Sequence, residues 1–118
     1  MAASSRPLSV TLIACLYILV GVGALIGHFH AIVTRQPDWG WILLTELLAI
    51  VAGAFLLRGA NWARWLAIAW IAFHVGLSFH GPLRALIMHS VFFVLIAWAL
   101  FHAAARRYFR QTPPALGA

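Results

Sequence analysis

The chain has no lysine, only two acidic residues (Asp38 and Glu46) and a single cysteine, Cys15. Each shortage excludes something. Charged residues make up 8% of the chain, against about 25% in soluble domains, which is too little to coat a water-facing surface. One cysteine cannot close an intrachain disulfide, and lying mid-segment among apolar neighbours it says nothing of redox compartment. There is no phosphate loop, nucleophile–base pair or carboxylate dyad, so soluble-type hydrolase, kinase and nucleotide-binding readings have no support. The net charge of +6 comes from eight arginines. Nucleic-acid binding needs a basic face on a soluble surface. These arginines instead sit at segment ends, where they can snorkel to headgroups, so no nucleic-acid partner is expected.

What the chain does have is apolar sequence: 64% of it is hydrophobic. Four runs can be drawn, at about 8–33, 41–58, 62–80 and 83–105, with short breaks at Thr34–Gly40, Gly59–Asn61 and Gly81–Pro82. Crossing hydrocarbon takes roughly 20 residues, and each run fits. Breaks this tight force antiparallel hairpins. The expected fold is all-α: a four-helix transmembrane bundle, up-down-up-down, as a single domain over 1–110, with a Pro-rich tail at 111–118 expected to be disordered. Pro7 and Pro82 suit a helix's first turn, and Asp38 and Asn61 are placed as N-caps. Trp39, Trp41, Trp62, Trp65 and Tyr108 lie near span ends, as an aromatic belt would. Trp70 and Trp98 lie deeper and are expected to pack between helices.

Orientation follows from the arginines. One side holds Arg6, Arg58, Arg64, Arg106, Arg107 and Arg110, and the other Arg35 and Arg84. By the positive-inside bias both termini are expected to be cytoplasmic. The competing reading of the first run is a cleavable signal peptide ending near Val22-Gly23-Ala24. The run is long for a signal's apolar core, and cleavage would leave an odd number of spans, so an uncleaved helix is expected.

Each apolar run carries one titratable group that falls, when the runs are threaded back and forth, at a common level: His28, Glu46, His74 and His89. All four come about 8–10 Å inside the outer boundary at 1.5 Å per residue. Helical phase also puts each on the face richest in small residues, where membrane helices approach closely. In the first run that stripe is Ala14, Tyr17, Gly21, Ala24 and His28, and in the second Glu46, Ala49 and Gly53. In the third it is Ala63, Ala67, Trp70, His74 and Ser78, and in the fourth Ala85, His89, Phe92, Ile96, Ala99 and Ala103. His30, His80 and His102 read as interfacial.

Ionisable groups inside a membrane are expensive and mark function by default. Imidazole and carboxylate projected inward from facing helices suit a metal ion, with His28, Glu46, His74 and His89 as its ligands. Two of His28, His74 and His89 would alternatively hold a haem iron, with Glu46 behind them. Proton, quinone or substrate chemistry is a third use. The bland alternative is a polar clasp, in which Glu46 bonded to one or two histidines fixes helix register and binds nothing; Arg35 or Arg84 would serve equally as its partner. The pattern Gly23–Gly27 (GALIG) reads as close packing within the bundle, with homodimerisation as the alternative.

The stretches RPLSVTLIACLYILVGVGAL, FLLRGANWARWLAIAWIAFHVGLSFH and ALFHAAARRYFR resemble a type of short bacterial four-helix integral membrane protein with no assigned activity. The turn RG-x-NWAR-W and the following His74 and His80 are the most specific part. The resemblance covers about half of the chain. It implies four helices and a bacterial cytoplasmic membrane, and it supplies no substrate, cofactor or catalytic residue. Two functions are therefore expected as rivals. One is a small module holding a metal or haem in its His/Glu layer. The other is a non-catalytic accessory or assembly subunit, because so little of the chain lies outside the membrane to bind a polar substrate. Its partners would be membrane lipid and a membrane protein or a second copy.

Overall fold

The structure is a computed structural model that describes residues 5–111. Among those residues it is all-helical: α1 Leu8–Gly27, α2 Phe29–Val33, α3 Trp39–Leu57, α4 Asn61–Ser78, α5 Leu83–Phe101 and α6 Ala103–Gln111. The helices α1, α3 and α5 are each long and apolar enough to cross a membrane. At 1.5 Å per residue they reach about 30 Å, the thickness of a bilayer's hydrocarbon core. Helix α4 is nearly as long but less apolar, since it carries Asn61, Arg64, three tryptophans and His74. The outward faces are hydrocarbon: Leu19, Ile26, Leu83 and Val94 are each more than 60% exposed. A water-soluble monomer does not tolerate apolar patches on that scale, and three such helices mark a membrane protein.

The helix ends differ from the sequence expectation where the backbone has local reasons to turn. The run expected as one helix over 8–33 breaks at His28, whose ψ of 9° leaves α-helical geometry after Gly27. Glycine is a poor helix former, and the chain re-enters as the short α2. The last run breaks at His102, with ψ 169°, and α6 departs from there. Asp38 occupies the N-cap position of α3 but is left-handed, at φ 68°, and makes no side-chain cap. Ala60 is the N-cap of α4 instead of Asn61, and the Asn61 amide oxygen accepts from Arg64 Nε at 3.0 Å. Between α3 and α4, Gly59 at φ 76° closes a Schellman turn: Ala60 N–H donates to Phe55 O at 3.0 Å and Gly59 N–H to Leu56 O at 3.1 Å.

Packing is closest between α1 and α3; α3 also packs on α4, α4 on α5, and α5 returns to α1. Polar contacts fix which ends meet. Arg6 at the start of α1 donates to Leu57 O at the end of α3, at 2.9 Å. Ser9 of α1 donates to Ala99 O of α5 at 3.2 Å. Arg64 of α4 donates to Leu100 O of α5 at 3.2 Å. Across the middle, the Tyr17 hydroxyl donates to Ala67 O at 2.6 Å and ties α1 to α4.

The core is built largely of alanine, with Ala14, Ala49, Ala52, Ala63 and Ala67 completely buried. Small side chains let backbones approach, which is how helices associate where no hydrophobic effect drives them together. The limit is reached at two glycines. A Cβ on Gly53 would stand 2.6 Å from Ala14 O, and one on Gly21 2.8 Å from Glu46 O. The GALIG pair does the opposite of what its pattern predicts, because nothing lies within 4 Å of a Cβ at Gly23 or Gly27. Close approach in α1 runs instead through Ala14 and Gly21, which share the stripe with Tyr17.

Other expectations shift in the same way. Trp98, expected between helices, is 63% exposed and stacks on His102 with ring centroids 4.7 Å apart. His102, expected at the interface, is half-buried with Nε2 2.9 Å from Ser9 Oγ. Tyr108 is buried rather than part of a belt, and its hydroxyl donates to Leu57 O at 2.9 Å. His30 and His80 are exposed. The tail at 112–118 lies outside the described residues.

Candidate functional site

One end of the molecule gathers the break after α1, the first half of α3, the last turns of α4 and the first turns of α5. There His28, Glu46, His74 and His89 all line a single cavity of about 340 Å³. Spacing of three and four along each helix explains its walls. Val20, Gly21 and Ala24 run down one face of α1 to His28, Trp41, Ile42 and Thr45 run down α3 to Glu46, and Trp70, Phe73 and Leu77 flank His74 on α4. The level and facing direction shared by the four titratable groups in the sequence thus correspond to one concavity.

The four groups do not close into a metal shell. Among the described residues no three His, Cys, Asp or Glu side chains come together so as to hold a metal ion. The expected ligand set His28, Glu46, His74 and His89 is instead divided by local hydrogen bonds. His28 Nδ1 bonds Glu46 Oε1, joining the end of α1 to α3. His74 folds back on its own helix, where its Nδ1 lies 2.9 Å from Trp70 O and its ring lies over Trp70 with centroids 3.9 Å apart. His89 reaches across from α5 to Ser78 Oγ, 2.6 Å from its Nδ1. The two imidazoles of His74 and His89 remain neighbours, with centroids 5.9 Å apart.

The partner of His74 assigns its proton. A carbonyl only accepts, so the His74 Nδ1 facing Trp70 O carries hydrogen, which leaves Nε2 with a lone pair. Ser78 Oγ lies 2.7 Å from His74 O and 2.6 Å from His89 Nδ1, so its one proton serves either of them and the His89 tautomer follows from that choice. The Thr45 hydroxyl is turned to Ile42 O, 3.0 Å away, and Trp70 Nε1–H donates to Thr45 O at 2.8 Å. The Thr45 hydroxyl and the Trp70 indole N–H are thus both used inside the protein.

Glu46 is the outlier. It is 6% exposed, and among the described residues its hydrogen-bond partner is His28, whose side chain is 52% exposed at the rim. The other carboxylate oxygen, Oε2, is buried with no hydrogen-bond partner among the described residues. An unsatisfied oxygen on a carboxylate in apolar surroundings costs more than on a neutral group. Arg35, proposed from sequence as a partner for this carboxylate, instead lies over the Trp39 ring at 5.6 Å.

A second, almost wholly apolar cavity of about 220 Å³ adjoins the first and shares Val20, Trp70 and His89 with it. Its further walls include Leu16, Met88, Phe92 and Ile96. Sequence reasoning missed Trp41 and Phe73, assigning Trp41 to the interface. Their signal was present, since Trp41, Thr45 and Glu46 share one face of α3, and Phe73 and His74 adjoin on α4. The rings of Trp41 and Phe73 meet edge-on across α3 and α4, with centroids 5.5 Å apart. No known family, curated protein or solved structure matches this chain.

Proposed function

We propose that the protein is a four-helix transmembrane bundle, up-down-up-down with both termini cytoplasmic, of a bacterial cytoplasmic membrane, and that it binds a small molecule in the cavity of its outer half. The topology is supported by the contacts that pair helix starts with helix ends, and the orientation by six arginines against two. The binding reading rests on one observation: His28, Glu46, His74 and His89 line the same 340 Å³ concavity under aromatic walls. Largely apolar pockets of about 300–1,000 Å³ with a few convergent polar groups are the usual form of a ligand site. The volume is at the small end of that range, which favours a compact molecule over a porphyrin. A metal held by the whole layer has less support, because among the described residues no three such groups come together so as to hold one.

The experiment compares the native protein with Ala24→Phe, which fills the cavity from α1. Compounds are screened for thermal stabilisation in detergent, and the purified protein is analysed for metals. Compounds that raise the Tm of the native protein and not of Ala24→Phe support the reading. A screen in which no compound discriminates between the two overturns it. So does a stoichiometric metal lost on His74→Ala, which would restore the metal-centre reading. The accessory-subunit reading keeps one specific support. The bonds His28–Glu46 and Ser78–His89 tie α1 to α3 and α4 to α5, as a register clasp would.

A further inference from the structure

We propose that the ligand is a protonated amine with an apolar body, its N–H donors held by the Glu46 carboxylate. This rests on the reading that the cavity binds a small molecule and specifies the chemistry it selects. The first support is the inventory of polar groups. Among the described residues Glu46 Oε2 has no partner, and the His74 Nδ1–H is used on Trp70 O. Oε2 is an acceptor only, so a ligand that satisfies it must bring a donor. An anion would be repelled by the carboxylate, and a quinone or other carbonyl compound would bring Oε2 no donor. A quaternary ammonium has charge but no N–H to satisfy Oε2.

Charge and shape agree. Glu46 is the one acid within the helices described as apolar spans. His28 engages only one of its oxygens, from the rim. Glu46 lines the cavity and the terminal torsion of a glutamate is broad, so a rotation that seats a ligand's donor on Oε2 is within its reach. Trp41, Trp70 and Phe73 line the same space, and aromatic faces attract cations within about 6 Å of the ring centroid. The adjoining apolar cavity, which shares Val20, Trp70 and His89 with the first, has the character needed for the body of the molecule. Polar head and apolar body are thus accommodated side by side.

The test uses three probes of matched shape: phenethylammonium, neutral 2-phenylethanol and anionic phenylacetate. Each is titrated into the full-length protein in detergent, labelled with ¹⁵N at the tryptophan indoles. Trp41 and Trp70 report the cavity. Trp65 and Trp98, which are 59% and 63% exposed, report simple partitioning into the micelle. The expected result is a saturable shift of the Trp41 and Trp70 signals with phenethylammonium. Its apparent affinity should exceed that of 2-phenylethanol by roughly tenfold or more, as a charge-assisted hydrogen bond gives, and phenylacetate should have no effect. Glu46→Gln should erase the preference for the amine. The comparison of probes on the native protein needs no variant to fold. If the alcohol or the acid binds as tightly as the amine, the amine proposal fails while the cavity stands as a binding site. If no probe moves Trp41 or Trp70 apart from Trp65 and Trp98, both readings fail together.

Discussion

Alanine at Gly53 and alanine at Gly23 add the same methyl group to a membrane helix and should have opposite consequences. At Gly53 the new Cβ would stand 2.6 Å from Ala14 O, 2.7 Å from Ile18 Cγ1 and 3.1 Å from Ile18 N. Two of those three atoms are backbone, so no rotamer change on α1 can relieve the clash. Ordinary contact begins at 3.4 Å, and α1 must therefore withdraw from α3 by about 0.8 Å, a distance most of the α1–α3 seam would follow in a close-packed interface. Forcing a methyl group into a packed core costs about 1–3 kcal/mol. Replacing glycine with alanine mid-helix returns about 1 kcal/mol through helix propensity. At Gly23 nothing lies within 4 Å of the added carbon, so the propensity gain stands alone. Because that gain is common to both positions, Gly53→Ala should be less stable than Gly23→Ala by about 1–3 kcal/mol, the overpacking term itself. The assay is reversible unfolding in mixed micelles of rising SDS mole fraction, followed by tryptophan fluorescence. Equal stabilities for the two variants, or a greater loss at Gly23, would refute the assignment of the α1–α3 seam. A greater loss at Gly23 would indicate instead that the GALIG face is packed against another helix or another copy.

Three further outcomes follow from particular contacts. Tyr17→Phe removes the hydroxyl bonded to Ala67 O and should cost about 0.5–1.5 kcal/mol in the same unfolding assay, near the modest worth of polar contacts between membrane helices. Gly59→Ala places a side chain at φ 76° and should cost about 1–2 kcal/mol, whereas Gly40→Ala, with open space around its Cβ, should not destabilise; a neutral Gly59→Ala would mean that the α3–α4 turn differs from the one described. For orientation, a green fluorescent protein fused after Ala118 should fluoresce and alkaline phosphatase inserted at Gln36 should be active, the pattern of a cytoplasmic C-terminus and an external α2–α3 loop. The reverse pattern would overturn the orientation inferred from the arginines.

The helical class and the long apolar helices were legible because apolar length and short polar breaks are read directly from the sequence. Each long helix begins or ends within a few residues of its expected boundary. The phase of the stripes was legible too: Ala14, Tyr17 and Gly21 on α1, and Glu46, Ala49 and Gly53 on α3, are all buried. What was not legible was local backbone geometry. Helical periodicity assumes the helix continues, and it fails at His28 and His102, where ψ leaves the helical range. The same limit explains the GALIG pattern. A small-residue spacing states that close approach is sterically permitted at Gly23 and Gly27, while the facing direction is set by the larger residues around them, Ile26 and Val22, which are exposed.

The candidate site divides along the same line. Spacing could bring His28, Glu46, His74 and His89 to one level and one side, and all four do line one cavity. Spacing cannot orient an imidazole, because a ring chooses between a distant ligand and whatever backbone carbonyl or hydroxyl lies nearer. His74 has the Trp70 carbonyl one turn back on its own helix, and His89 has Ser78 across the α4–α5 turn. Those near partners orient each ring locally, and among the described residues no three of the four groups come together so as to hold a metal. Glu46 has no such carbonyl to bond, since a carboxylate needs donors and a helix offers few free ones beyond its first turn. That one of its oxygens has no partner among the described residues is therefore the consequence of placing a lone acid mid-helix, and it is the feature that a donor-bearing cation in the cavity would satisfy.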